Sequence, residues 1–123
     1  MTAKIGTVDI LPYIEDGTYK MDANKEYYEW KDGNEDNHRE YTVSKVHGEM
    51  TVICDEKNGI SLSALLGYIN NASSDNKVTL TLYITNEDQD ATIEAYLTLT
   101  TAYFREHKDG KTVHLINIKV DEV

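Results

Sequence analysis

Residues 61–72, Ser-Leu-Ser-Ala-Leu-Leu-Gly-Tyr-Ile-Asn-Asn-Ala, carry the clearest helical period in the chain. Leu62, Leu65, Leu66 and Ile69 recur at i, i+3, i+4 and i+7, which predicts an amphipathic helix of about three turns. Ser61 is placed to cap its start, and Ile60 to staple onto Leu65. Elsewhere the apolar positions alternate. Val78, Leu80, Leu82 and Ile84 interleave with Thr79, Thr81, Tyr83 and Thr85, predicting a half-buried strand whose apolar face receives the four helix residues. Residues 86–90 form a glycine-free hairpin loop. On the return strand Ala91, Ile93, Ala95, Leu97 and Leu99 face away from Thr92, Glu94, Tyr96, Thr98 and Thr100. The parity then slips, with Thr101 in an apolar slot and Tyr103 beside Phe104, which predicts a bulge near Thr100 or Thr101. Asp109-Gly110 marks a tight hairpin, and His114, Ile116, Ile118 and Val120 share one face of a closing strand.

The first half reads the same way. Ile5, Val8, Ile10 and Leu11 lead to Pro12, the only proline, which suits an edge strand or its exit because it cannot donate to a ladder. Asp16-Gly17 and Asp22-Ala23-Asn24 read as turns. Residues 26–31, with Tyr27, Tyr28 and Trp30, form a short aromatic strand. It enters the most polar segment, residues 32–38, expected to be a mobile loop. Beyond it Val46, Gly48, Met50 and Val52 share one parity, and Tyr41, Val43 and Ile53 the other. Glycine within that strand predicts a bulge or a close backbone approach. Residues 55–59 turn the chain into the helix. The expected fold is mainly β: a β-sandwich or split β-barrel of six to seven strands with one packed helix, and no repeat of solenoid length.

A chain of 123 residues predicts a single domain, residues 1–123. The nine tyrosines, against one Trp and one Phe, can cover a core edge and still hydrogen-bond outward. The net charge of −10, without a Lys/Arg cluster, argues against nucleic acid or a membrane surface as partner, since both require basic side chains. Such acidity keeps a surface soluble, or supplies a face that repels polyanions, as the wall of a DNA conduit must. Cys54 stands alone within Met50-Thr51-Val52-Ile53-Cys54, so an inert buried thiol is expected. Met-Thr-Ala-Lys-Ile-Gly lacks the apolar core of a signal peptide, and no run of apolar residues is long enough to span a bilayer. Folding in a cytoplasm is therefore expected, and the sequon-like Asn71-Ala72-Ser73 carries no weight.

Chemistry is sparse. Asp32, Asn34 and Asp36, and again Asn86, Asp88 and Asp90, imitate the first oxygens of a calcium loop. Both fail further on, with Asn37 or Ala91 where glycine is needed and Val43 or Leu97 where a bidentate Glu belongs. His38, His47, His107 and His114 lack a second ligand at zinc spacing. No nucleophile elbow, Walker loop or dinucleotide fingerprint is present. Glu94 could oppose a carboxylate as in a glycosidase, but so acidic a chain generates such pairs by number alone. No catalytic residue, cofactor or metal is expected. The Tyr27-Tyr28-x-Trp30 patch has two readings: a sheet edge packed on the core, or a subunit interface or sugar platform.

The run Tyr41-Thr-Val-Ser-Lys-Val-His-Gly-Glu-Met-Thr-Val-Ile53, the helix at 61–72, the strand at 77–85 and the ending Ile118-Lys119-Val120-Asp121-Glu122-Val123 resemble small tail proteins from prophages of Gram-positive bacteria. In those proteins a strand with an internal glycine, here Gly48, precedes a Leu-x-x-Leu-Leu-x-x-Ile helix, here Leu62, Leu65, Leu66 and Ile69. The resemblance covers about two thirds of the chain and implies a fold similar to the tail-tube family, whose members stack as rings. It also implies that residues 26–39 reach neighbouring subunits and that an acidic lumen lets DNA slide. The chain is shorter than many tube proteins, which leaves a tail-completion or baseplate-associated role open.

The expected function is therefore a non-enzymatic structural subunit of a phage or prophage tail-like assembly. It is made in a bacterial cytoplasm, ends in the virion tail, and docks to copies of itself and to other tail proteins. The alternative is a small carbohydrate- or protein-binding β-module using Tyr27, Tyr28 and Trp30; a hydrolase would need a pocket that sequence does not reveal.

Overall fold

The computed structural model describes residues 1–55, 59–72, 77–106 and 112–123, with backbone pairing alone for 25–28, 40–43, 71–72, 102–106 and 112. Its strands are β1 (Ala3–Ile5), β2 (Val8–Asp9), β3 (Lys20–Lys31), β4 (Asn37–Asp55), β5 (Val78–Ile84), β6 (Gln89–Glu106) and β7 (Thr112–Glu122), with helix α1 (Leu62–Ala72) between β4 and β5. All seven belong to one sheet in the order β2-β1-β5-β6-β7-β4-β3, and neighbours pair antiparallel. Among the described residues the chain is mainly β with one helix, as the alternation predicts.

The sheet curls until its far strand meets β5 again. Val78 pairs with Ala95, Ala95 with Glu122, and Val46 with Ala23, while the Val46 N–H donates to Glu122 Oε2 at 3.3 Å. From Ala23 the path reaches Asn86, beyond the end of β5 and well past Val78, where it began. That displacement is the shear a closed barrel requires. Met21 meets Thr85 and Ala23 meets Asn86, so the seam runs parallel. Closing five otherwise antiparallel strands demands one such contact. Where β3 has not yet begun, the gap between β4 and β5 is filled by β1, β2, the 3-10 turn Leu11–Tyr13 and α1, which makes the barrel a split one. Ile14 bridges Val52 across this gap.

Inward positions carry the core: Met21, Val46, Met50, Val52, Leu80, Leu82, Ile84, Ile93, Ala95, Ile116, Ile118 and Val120 are all buried in one cluster. The predicted alternation at Val78, Leu80, Leu82 and Ile84 holds at every position. Helix α1 begins as expected: Ser61 Oγ accepts the Ala64 N–H at 3.1 Å, and Ile60 and Leu65 are both buried in the core cluster. Its stripe is narrower than predicted. Leu65 is fully buried and Leu62, Ala64 and Ile69 pack partly against the core, but Leu66 is 41% exposed. Successive helical positions differ by about 100°, so centring Leu65 turns Leu66 toward solvent. The helix also touches β1 and β4 as well as β5, because it plugs the split.

Gly48 is the close approach its position predicts. A Cβ there would lie 2.1 Å from the Lys20 carbonyl oxygen and 2.7 Å from Met21 Cα. The bulge near Thr101 is also present, as a register shift between Thr101 and Tyr103. A second shift, between Lys25 and Tyr27, has no signal in the sequence. Asp16-Gly17 does turn, with Gly17 at φ 80°. Asp22-Ala23-Asn24 does not: these residues pair with His47, Val46 and Lys45 inside β3, where ladder and seam bonds override their turn preference. Pro12 falls in the 3-10 turn that follows edge strand β2. The tight hairpin expected at Asp109-Gly110 and most of the turn at 55–59 lie outside the described residues.

Candidate functional site

β3 and β4 continue past the barrel as a two-stranded arm. The β4–β7 ladder starts at His47 opposite Asp121, so among the described residues the stretch of β4 before Val46 pairs only with β3. Past Ala23, the other edge of β3 is likewise unpaired among the described residues. The aromatic strand of the sequence reading is thus the outer half of a 12-residue strand.

The arm is organised by charge and by a ring stack. Trp30 pairs with His38, and their rings stack at 5.3 Å with an interplanar angle of 20°. Trp30 remains 44% exposed, so it is not packed into a core. Asp32 ties the tip together. Its Oδ1 accepts the Asn34 and Asp36 N–H groups at 2.8 and 3.1 Å, and its Oδ2 lies 2.7 Å from His38 Nε2. The His38 hydrogen bond, followed by that from Asn34, holds the Asp32 carboxyl below the usual range. Glu35 takes a left-handed conformation at φ 62° to complete the turn. Below the tip, Arg39 Nε donates to Glu29 Oε1 at 2.9 Å and a second guanidinium nitrogen reaches the same oxygen.

Of the predicted interface residues, Trp30 stands exposed on this arm. Tyr27 and Tyr28 are opposite Tyr41 and Glu40 in the ladder, and their side chains lie outside the described residues. Of the Asp32, Asn34 and Asp36 side chains that imitate a calcium loop, Asp32 is taken up by the backbone amides of the other two and by His38. Asn86, at the head of the second imitation, is bonded to Ala23. Among the described residues no three His, Cys, Asp or Glu side chains are disposed to hold a metal. His47 pairs with Asp121 at 2.9 Å, and Glu94 faces Thr79 across the ladder rather than a carboxylate. Cys54 lies directly opposite His114, but burial pushes its thiol up to about 11, the reverse of nucleophile activation.

The His38–Asp32 and Arg39–Glu29 pairs leave no signal in the sequence, because the hairpin register creates them. Asp-Gly-Asn at 32–34 was the available signal for the turn. No described helix is long and apolar enough to cross a membrane. No protein-family model matches the chain, and no curated protein matches it.

Proposed function

We propose that the protein is a non-enzymatic structural subunit of a phage or prophage tail-like assembly and works by docking to copies of itself and to other tail proteins. The observation that carries this reading is the β3–β4 arm, a ribbon that leaves the barrel with both edges unpaired among the described residues. Two isolated strands are marginal in water, so a ribbon of this length gains most when a neighbouring chain adds a strand or a covering face. The split barrel closed by one helix agrees with the fold the resemblance implies. The charge of −10 suits a subunit that lines a DNA path without binding it. On this reading the protein folds in a bacterial cytoplasm and is built into the virion tail as a tube, completion or baseplate-associated component.

Light scattering and negative-stain microscopy of the purified chain test the proposal. Rings or stacked rings are expected, and replacing residues 26–39 by a short turn should leave monomers. A full-length chain that stays monomeric at high concentration overturns it. One observation favours a second reading, a carbohydrate- or protein-binding module: Trp30 is an exposed ring already held flat by His38. A monomer that binds glycans and loses them on Trp30→Ala would establish that reading.

A further inference from the structure

Asp32 divides its carboxylate between two tasks. Oδ1 accepts the Asn34 and Asp36 N–H groups and so closes the turn at the tip of the arm, while Oδ2 lies 2.7 Å from His38 Nε2. An ionised carboxylate only accepts, so Nε2 donates in this bond. The same imidazole is stacked on Trp30 at 5.3 Å. Turn, ladder and ring stack therefore meet at one titratable group. The other charged residues of the tip are Lys31 at the end of β3, Glu35 and Asp36 in the turn, and the Glu29–Arg39 pair below it. Glu40 follows two positions along β4.

The strength of this junction depends on the charge of the imidazole. A protonated ring makes a charge-assisted hydrogen bond, roughly twice as strong as a neutral one, and a cation against the face of tryptophan is attracted by the quadrupole of that ring. A neutral imidazole keeps the hydrogen bond and loses both increments. Histidine changes charge between about pH 5 and about pH 8. Two strands without a third are marginal, so an increment of this kind is felt at the tip more than in the barrel.

We propose that Trp30, His38 and Asp32 form a proton-operated latch that firms the tip of the arm in mild acid and loosens it as the pH rises through the histidine range, and that it thereby regulates the docking proposed for the arm above, on which this last step rests. The latch also has an acid limit. Once Asp32 takes up a proton the ion pair is gone, and because the His38 bond and then the Asn34 bond hold its carboxyl below the usual range, that limit lies at more acid pH than for an ordinary aspartate.

Trp30 is the only tryptophan in the chain, so its fluorescence reports the tip alone. Between about pH 5.5 and about pH 8 its emission should rise in one step, since an imidazolium in contact quenches indole more than a neutral imidazole does. His38→Gln, which keeps a side-chain donor but cannot be charged, should lose the step. Asp32→Asn, which keeps an acceptor for the turn but not the charge, should shrink it. His47→Gln, which removes the His47–Asp121 pair where the β4–β7 ladder starts, should leave it in place. A flat profile in the parent, or a step that survives His38→Gln, overturns the latch. Light scattering at the same two pH values reads the docking: larger species in mild acid are expected, with the difference erased by His38→Gln. Assembly indifferent to pH in a chain whose fluorescence steps overturns the regulatory role, and a chain that steps but stays monomeric throughout overturns the assembly reading while the latch stands.

Discussion

The side-chain amide of Asn86 takes both backbone groups of Ala23: it accepts the Ala23 N–H through Oδ1 and donates to the Ala23 carbonyl through Nδ2, each at 2.8 Å. A side chain here does the work of a strand, extending the seam one step beyond the end of β5. Asn86→Ala should therefore cost about 1–3 kcal/mol, the net worth of two such bonds, read from urea unfolding. Asn86→Asp, which keeps an acceptor but loses the donor, should cost about as much. A change below about 0.5 kcal/mol for both would show that water replaces the amide.

Leu65 and Leu66 are chemically identical neighbours with opposite environments, 0% and 41% exposed. Leu65→Ala should destabilise by about 2–5 kcal/mol through the cavity it leaves. Leu66→Ala should fall within about 0.5 kcal/mol of the parent. Parallel thermal melts decide the matter, and equal losses would place the helix in a different rotation.

Gly48→Ala should be among the most damaging small substitutions in the chain. The added methyl meets the Lys20 carbonyl oxygen at 2.1 Å and Met21 Sδ at 2.6 Å. The sulfur can swing aside, but the carbonyl is backbone, so β3 itself must shift. A loss of about 1–3 kcal/mol or more is expected. Because the shift falls at Met21, hydrogen exchange should speed first at the seam.

The raised ionisation of Cys54 gives a pH signature. Below about 9, its ordinary value, the thiol is protonated in both folded and unfolded chains and contributes nothing pH-dependent. Between about 9 and about 11 the unfolded thiol ionises while the folded one does not. Stability should accordingly fall across that window by roughly 2–3 kcal/mol. Tyrosines also titrate there, so the measurement is the difference between the parent and Cys54→Ala, whose curve should lack the Cys54 component. Alkylation of the native thiol at neutral pH should be slow and become fast on unfolding.

What could be read in advance was whatever depends on near neighbours. Alternation in β5, the cap of Ser61 and the slip near Thr101 are each set within a few residues, and each is present; the approach at Gly48 involves a distant strand but shows because glycine inside a strand is itself the mark of one. What depends on register or closure was not legible. Asp22-Ala23-Asn24 has turn composition, yet it is drawn into β3 by partners in β4 and by Asn86. The exposure of Leu66 has the same origin, since the period fixes the width of a stripe but the shape of the split decides its rotation. At the arm, Trp30 was identifiable by type alone. The ion pairs beside it come from chain segments brought together only by folding.

Glu29 bound to Arg39 on a ribbon whose flanks are unpaired among the described residues has a consequence for handling. An extended hairpin lacking such charges would zip onto any passing polypeptide and precipitate. Here an intruder would have to displace or dehydrate Glu29, Arg39, Lys31 and Asp32, so casual pairing is unrewarding. Concentrated stocks should keep clear, and substitutions that neutralise these four positions together should turn them cloudy.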